Sequence, residues 1–209
     1  MTDETIPNWL AWAREIQALA QTGLYFAQDD YNQQRYRRLI ELAAEMMADR
    51  TAATAPLLQR AFLAQPGYAT PKVDVRGAAF REGRILLVRE RSDGGWCMPG
   101  GWADVGAPPS AMVEREVWEE SGFRVAARKL IGVYDANREG KPLAAFHAYK
   151  VVMLCDVLSG EPTPSSETSA VDFFARETIP LLSSARTSPR LIAEAFAHLD
   201  DPLRPPAFD

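Results

Sequence analysis

Apolar residues recur at helical spacing through the first part of the chain. Trp9, Trp12, Ala13, Ile16, Leu19 and Ala20 follow Pro7 at a first helical turn, and Gly23 reads as the stop. A second helix is expected with Asp29 or Asp30 as its cap and Tyr36, Leu39, Ile40, Ala43, Met46 and Met47 along one side. A third, from about Pro56 to Ala64, carries Leu57, Leu58, Ala61 and Phe62. The stretch from Gln65 to Pro71 has the punctuation of a linker. Beyond it the period shortens. Val73 to Phe80 and Ile85 to Arg89 read as strands joined by a turn at Arg81 to Arg84, followed by strands at Arg124 to Tyr134, Phe146 to Val157 and Val171 to Ala175. Loops are expected at 135–142 and 159–168, and a closing helix runs from Ser188 or Pro189 to about Leu199. The pattern predicts an all-helical module over 1–65 and an α/β (α+β) domain over 66–209, with a mixed sheet and helices on its faces. Three helices with so small a core are marginal alone, so they either pack on the following domain or pair with a second copy of the chain.

Between the strands lies a helix of a different kind. The Gly100-Gly101 turn leads through an irregular loop into Arg115-Glu116-Val117-Trp118-Glu119-Glu120-Ser121-Gly122-Phe123. Glu116 and Glu120 are four apart on one stripe, and Glu119 flanks them. Like charges so placed repel, and the negative end of the helix dipole lies beside them. A hard divalent cation such as Mg2+ relieves that repulsion, so this helix reads as a metal site.

Composition narrows the partners. The 209 residues carry a net charge of −5, which argues against polymeric nucleic acid but leaves room for a local phosphate-binding pocket. No apolar run approaches membrane-spanning length, and Asp3 and Glu4 do not fit a basic-then-apolar signal, so a cytoplasmic protein with no membrane association is expected. Cys97 and Cys155 lack metal-site spacing and read as buried residues.

The run from Gly101 to Phe123 resembles the Nudix box, the signature of hydrolases of nucleoside diphosphates linked to another group. The likeness extends from about Trp9 to Phe196, to a bacterial subgroup with a helical N-terminal extension that includes ADP-ribose and CDP-choline pyrophosphatases. It implies an α/β/α sandwich, Mg2+ or Mn2+ as cofactor, a small nucleoside diphosphate derivative as substrate and a homodimer. It also implies Glu116 and Glu120 as metal ligands, Glu119 as a ligand or water-mediated neighbour, and Arg115 as the residue that orients them. The box departs at Ala107, where the family has a glutamate that holds the loop against the arginine. Arg115 also lies four before Glu119, and that pair could replace part of the lost contact. The departure leaves a second reading open, a nucleotide-derivative binding or sensing protein with weakened catalysis. A third, a purely structural dimer, has no use for three crowded carboxylates.

Glu167, in the polar loop before a strand, leads as a general base outside the helix, with Glu161 second. Carbonyls near Gly100 or Gly101 could add a metal oxygen where glycine allows close approach. Arg76, Arg89 and Arg91 could meet the diphosphate. His147 is a further substrate candidate, although a histidine on an apolar strand is more often packed. Trp96, Trp102 and Tyr134 could stack on a base.

Overall fold

The structure, a computed structural model, describes residues 7–137 and 146–209. It falls into two compact units, a helical one ending at Pro71 and a sheet-based one beginning at Lys72. Phe146 and His147, just before Ala148, group with the helical unit. The early Asp3 and Glu4 and most of the expected 135–142 loop lie outside the described residues.

The helical unit contains α1 (Asn8–Phe26), α2 (Asp30–Ala48) and α3 (Ala55–Leu63). Its core gathers Leu10, Ala13 and Ala20 from α1, Ile40, Ala44 and Met47 from α2, and Leu58 and Phe62 from α3. Of the two candidate caps for α2, Asp29 does the work, accepting from Asn32 N at 2.8 Å. Gly23 does not end α1. A Cβ there would fall 2.3 Å from the Tyr36 ring, so this glycine lets α2 approach closely and the helix runs on to Phe26. Trp12 and Leu19, two of the apolar residues at helical spacing, are 57% and 66% exposed. The α1 surface thus carries a second apolar strip that its own unit does not cover.

The sheet unit is built on β1 (Lys72–Arg81), β2 (Arg84–Glu90), β3 (Trp96–Cys97), β4 (Phe123–Asp135), β5 (Ala148–Gly160), β6 (Thr168–Phe174) and β7 (Ala207–Phe208). They form one mixed sheet in the order β3-β2-β1-β5-β4-β7, with β6 also paired to β2. β1 and β5 are parallel, while β1–β2, β2–β6 and β4–β5 are antiparallel. Helices α4 (Pro109–Ser121) and α5 (Pro189–Asp200) cover the two faces. Val75, Ala79 and Leu86 pack with Met112, Val113 and Val117 of α4. Their neighbours of opposite parity, Ala78, Ile85 and Leu87, pack with Leu191, Ile192, Ala195 and Phe196 of α5. Coverage on both sides explains why β1 and β2 read as nearly continuous apolar runs. The result is the expected α/β/α sandwich with its mixed sheet, accompanied by a helical N-terminal part. Among the described residues no helix is long and apolar enough to cross a membrane.

Three boundaries differ from the pattern. β5 starts at Ala148, leaving His147 off the strand; β6 begins at Thr168, three residues early; and the proline-rich tail contributes the short β7 beside Gly132 and Val133. α4 ends where Gly122 adopts φ +79°, with its N–H donating to Trp118 O at 2.8 Å. A Cβ at Gly122 would lie 2.6 Å from the Glu161 carbonyl oxygen as well as requiring a left-handed backbone. Gly122→Ala is therefore expected to lower the free energy of unfolding by about 2 kcal/mol or more, measured as the urea midpoint at constant m value.

Candidate active site

The site is assembled by a segment that is not itself a regular strand. Residues 99–103 run beside β1, with Gly77 N donating to Pro99 O at 2.9 Å, Val75 N to Gly101 O at 2.8 Å and Ala103 N to Val73 O at 2.9 Å. This places Gly100 so close to β1 that a Cβ would lie 2.0 Å from the Val75 carbonyl oxygen, at a φ of +146°. The same approach turns the Gly100 N–H toward α4, where it donates to Glu120 Oε2 at 2.9 Å. At Gly101 a Cβ would fall 2.8 Å from Glu116 Oε2. The glycine pair and the two glutamates thus meet face to face.

Glu120 is 7% exposed. Burial pushes its carboxyl up to about 7; the Gly100 N–H and the Arg76 guanidinium pull the other way, while the charges of Glu116 and Glu90 add to the rise. Glu116 is also raised, first by burial and then by Glu119, with Arg115 and Arg76 opposing and Glu167 adding to the shift. Both carboxylates therefore resist ionisation in the absence of a cation. Glu119 faces elsewhere: half exposed, it sits 3.6 Å from Arg115 Nε. Among the described residues no three His, Cys, Asp or Glu side chains gather into a preformed metal cluster. Two hard carboxylates with backbone around them nevertheless fit Mg2+, which takes one or two protein carboxylates and fills its shell with water and substrate phosphate.

Arg76 is not a ligand-facing residue. It is fully buried, with Nε and Nη2 each 2.8 Å from an Asp74 oxygen and Nη1 3.1 Å from Met98 O. Burial alone would lower its pKa, but the two-pronged Asp74 pair outweighs this and raises it, so it stays charged. The expected contact with a diphosphate is replaced by an internal role, a fixed positive charge felt by Glu116 and Glu120. Arg89 and Arg91 do remain exposed. Arg89 Nε donates to Gly94 O at 2.9 Å, and Arg91 reaches Ser165 O at 3.4 Å. His147 lies off β5 and groups with the helical unit, which separates it from the strand that was to carry it.

Arg115 answers the question raised by Ala107. Its Nη2 lies 2.6 Å from Asp104 Oδ2, nearer than its contacts with Glu119 or Glu116, and Ala107 packs against the α4 core. The loop is tied to the box arginine from position 104 instead of 107. Of the aromatics, Trp96 and Tyr134 belong to the core under α5, whereas Trp102 is 55% exposed. Glu167 is exposed, and its charge is felt at Glu116. Glu161 is exposed too, with its carbonyl beside Gly122. Cys97 and Cys155 are both buried.

Several polar residues here were not singled out by the sequence. Glu90 is 5% exposed, with Cys97 Sγ donating to it at 3.3 Å and Arg186 Nε 3.6 Å away. Its parity with Leu86 on β2 was the available signal, since Leu86 faces α4. Lys150, opposite Asp74 on β5, is 6% exposed, and burial lowers its pKa to about 8. Thr187 Oγ1 accepts from Met98 N at 3.0 Å, and Thr168 Oγ1 donates to Glu120 O at 2.9 Å.

Residues 7–62 match the profile described as a UDP-X-like N-terminal oligomerisation domain, and residues 70–195 match the NUDIX domain. A Bacillus subtilis protein provisionally named ADP-ribose pyrophosphatase is 38% identical over 97% of both chains. A crystal structure of a UDP-X diphosphatase aligns over 97% of this chain and 98% of its own, at 28% identity and a TM-score of 0.62. An ADP-ribose pyrophosphatase from Streptococcus suis is 36% identical with a TM-score of 0.61, covering 67% of this chain and all of its own.

The raised Glu120 pKa has a measurable sign. Its folded value of about 7 exceeds the ordinary glutamate value of 4.5, so its contribution to stability is complete below about pH 4 and is lost as pH rises through 7. In EDTA, unfolding free energy should fall by up to about 3 kcal/mol between pH 5 and pH 8, and by clearly less in Glu120→Gln. Lys150, lowered to about 8, has the opposite slope from about pH 7 upward, and Glu116 adds to the fall, so the difference between the parent and Glu120→Gln is what measures the Glu120 carboxyl.

Proposed function

The chain belongs to the Nudix family of pyrophosphohydrolases, and from that premise we propose that it splits the pyrophosphate of a nucleoside diphosphate linked to another group. ADP-ribose, CDP-choline and UDP-linked compounds are the substrate types, and the products are a nucleoside monophosphate and a phosphorylated remainder. The observation that supports this most directly is the pair Glu116 and Glu120, four apart on α4 and brought face to face with the Gly100-Gly101 turn. Bound Mg2+ or Mn2+ would lower the pKa of the attacking water and neutralise charge on the pyrophosphate. In this reading Glu116 and Glu120 supply carboxylate oxygens, and the Gly100 N–H fixes one Glu120 oxygen so that the other is presented in a constant direction. Glu119 acts through Arg115, which it helps to hold. Glu167 accepts the proton of the attacking water. Arg91, exposed and bonded through its backbone N–H to Glu167, is the cation nearest at hand for the phosphates, while Arg89 shares the parity of Leu87 toward α5.

The reading of a merely binding protein rested on Ala107. The Arg115–Asp104 pair weakens it, because the loop retains an ionic anchor. For residues 1–65 we propose a module that joins two copies of the chain; the exposed Trp12, Leu19, Tyr25 and Phe26 support it, as does the match to an oligomerisation domain.

A panel of nucleoside diphosphate derivatives with Mg2+ or Mn2+ tests the activity through release of monophosphate, and saturable binding without turnover would return the sensor reading. Glu120→Gln should reduce kcat by about 100-fold or more while far-UV circular dichroism stays unchanged. Full activity in this variant would remove Glu120 from the metal site. Asp104→Ala should lower kcat/KM by roughly three- to tenfold, the effect of loosening a largely exposed pair. Adding Ala107→Glu should restore it by offering Arg115 the partner it otherwise lacks.

A further inference from the structure

We propose that Thr168 is a positioning residue that holds Glu167 in register with the glutamate helix. This rests on the reading above, in which Glu116 and Glu120 carry the chemistry and Glu167 takes the proton.

Thr168 is fully buried at the start of β6. Its Oγ1 donates to Glu120 O at 2.9 Å, one of the last carbonyls of α4, which have no N–H donor within the helix. Thr163 N donates to the next carbonyl, Ser121 O, at 2.9 Å, so the loop before β6 closes the end of α4 with two bonds. The same Thr168 oxygen accepts from Ser165 N at 2.8 Å. Ser165 Oγ in turn accepts from Glu167 N at 3.1 Å and Thr168 N at 3.2 Å, while Glu167 O accepts from Arg91 N at 3.0 Å. Glu167 is therefore held at its N–H by the Ser165 turn, which the Thr168 hydroxyl joins to Glu120 of α4, and at its carbonyl by the Arg91 N–H.

The strand pairing points the same way. Arg89 lies opposite Ala170 but Glu90 lies opposite Thr168, so Ser169 is an extra residue and the ladder bulges there. A bulge re-aims the residues beside it, and the two that follow it toward the loop are Thr168 and Glu167. The charge of Glu167 reaches Glu116, on the helix to which Thr168 is bonded. A helix cap alone would need only a donor to Glu120 O. Here the hydroxyl is donor to the helix and acceptor from the turn at once, a link that valine cannot make and serine can.

The test compares Thr168→Val, Thr168→Ser, Glu167→Gln and the double variant Thr168→Val/Glu167→Gln, using the substrate found in the panel. Thr168→Val should lower kcat by about 10- to 100-fold with KM within about threefold, and Thr168→Ser should stay within about threefold of the parent in both. The double variant should be no slower than Glu167→Gln alone, since the hydroxyl acts through that carboxylate. Mn2+ binding, read from the EPR signal of the free ion, should remain within about threefold in Thr168→Val. Multiplying kcat losses in the double variant, or a Mn2+ affinity loss beyond about tenfold, would show that Thr168 acts on Glu120 or on the fold at large and would overturn the proposal. Full activity in Glu167→Gln would overturn the base reading itself, and the proposal with it. Loss in Glu167→Gln with multiplying effects overturns the proposal alone.

Discussion

A carboxylate held almost out of water is the constraint around which the sheet unit is organised. Glu120 meets it with a hydrogen bond from Gly100 and with the nearby positive charge of Arg76. Arg76 could not stay charged in the sheet interior without Asp74, which binds it with both oxygens, and Met98 O, which takes a further donor. The arrangement still leaves Glu116 and Glu120 raised, which means that the protein alone does not fully offset their charge. That residual cost, of burial first and of neighbouring carboxylates second, is what a divalent cation would relieve.

Much of this was legible in the sequence because it rests on period and on glycine. The α4 helix, the Gly100-Gly101 turn, the β1–β2 hairpin and the α5 cap at Ser188 all follow from local chemistry. Misreadings came where burial decided the outcome. Gly23 looks like a stop, but its absent side chain makes room for Tyr36 in the middle of a contact between helices. Arg76 looks like a phosphate ligand, but its partner Asp74 lies two residues away on the same face of the strand, and the pair is internal. Glu90 and Lys150 carry no sequence signal of burial beyond their parity, since a charged residue in a strand is usually exposed. Thr168 and Thr187 were silent for a simpler reason: a threonine's hydrogen-bond partner far along the chain is set only when the elements assemble.

The loop at Ala107 shows how a departure from a motif is to be weighed. The missing glutamate matters only through its partner, and Arg115 has found another carboxylate three positions earlier, at Asp104. Both members are substantially exposed, so the pair adds little to stability at physiological salt. Its use is directional: it keeps the loop from drifting away from the helix whose carboxylates it borders. A residue lost from the consensus therefore changes the route of an interaction more than its existence.

Charges and neutral hydrogen bonds divide the work in this site. The charged groups set what it can attract, and Arg115 and Glu167, whose charges are felt at Glu116, are open to solvent and screened by salt. The distances are set by neutral contacts in dry surroundings. Thr187 holds Met98, two residues before the Gly100 N–H, and Thr168 holds the carbonyl of Glu120 itself; both threonines are fully buried. Such bonds are short-ranged and nearly indifferent to ionic strength, so the spacing between the glycine turn and the glutamate helix persists when the charge balance changes. The spacing between two crowded carboxylates and the turn they face is thus set by bonds that carry no net charge.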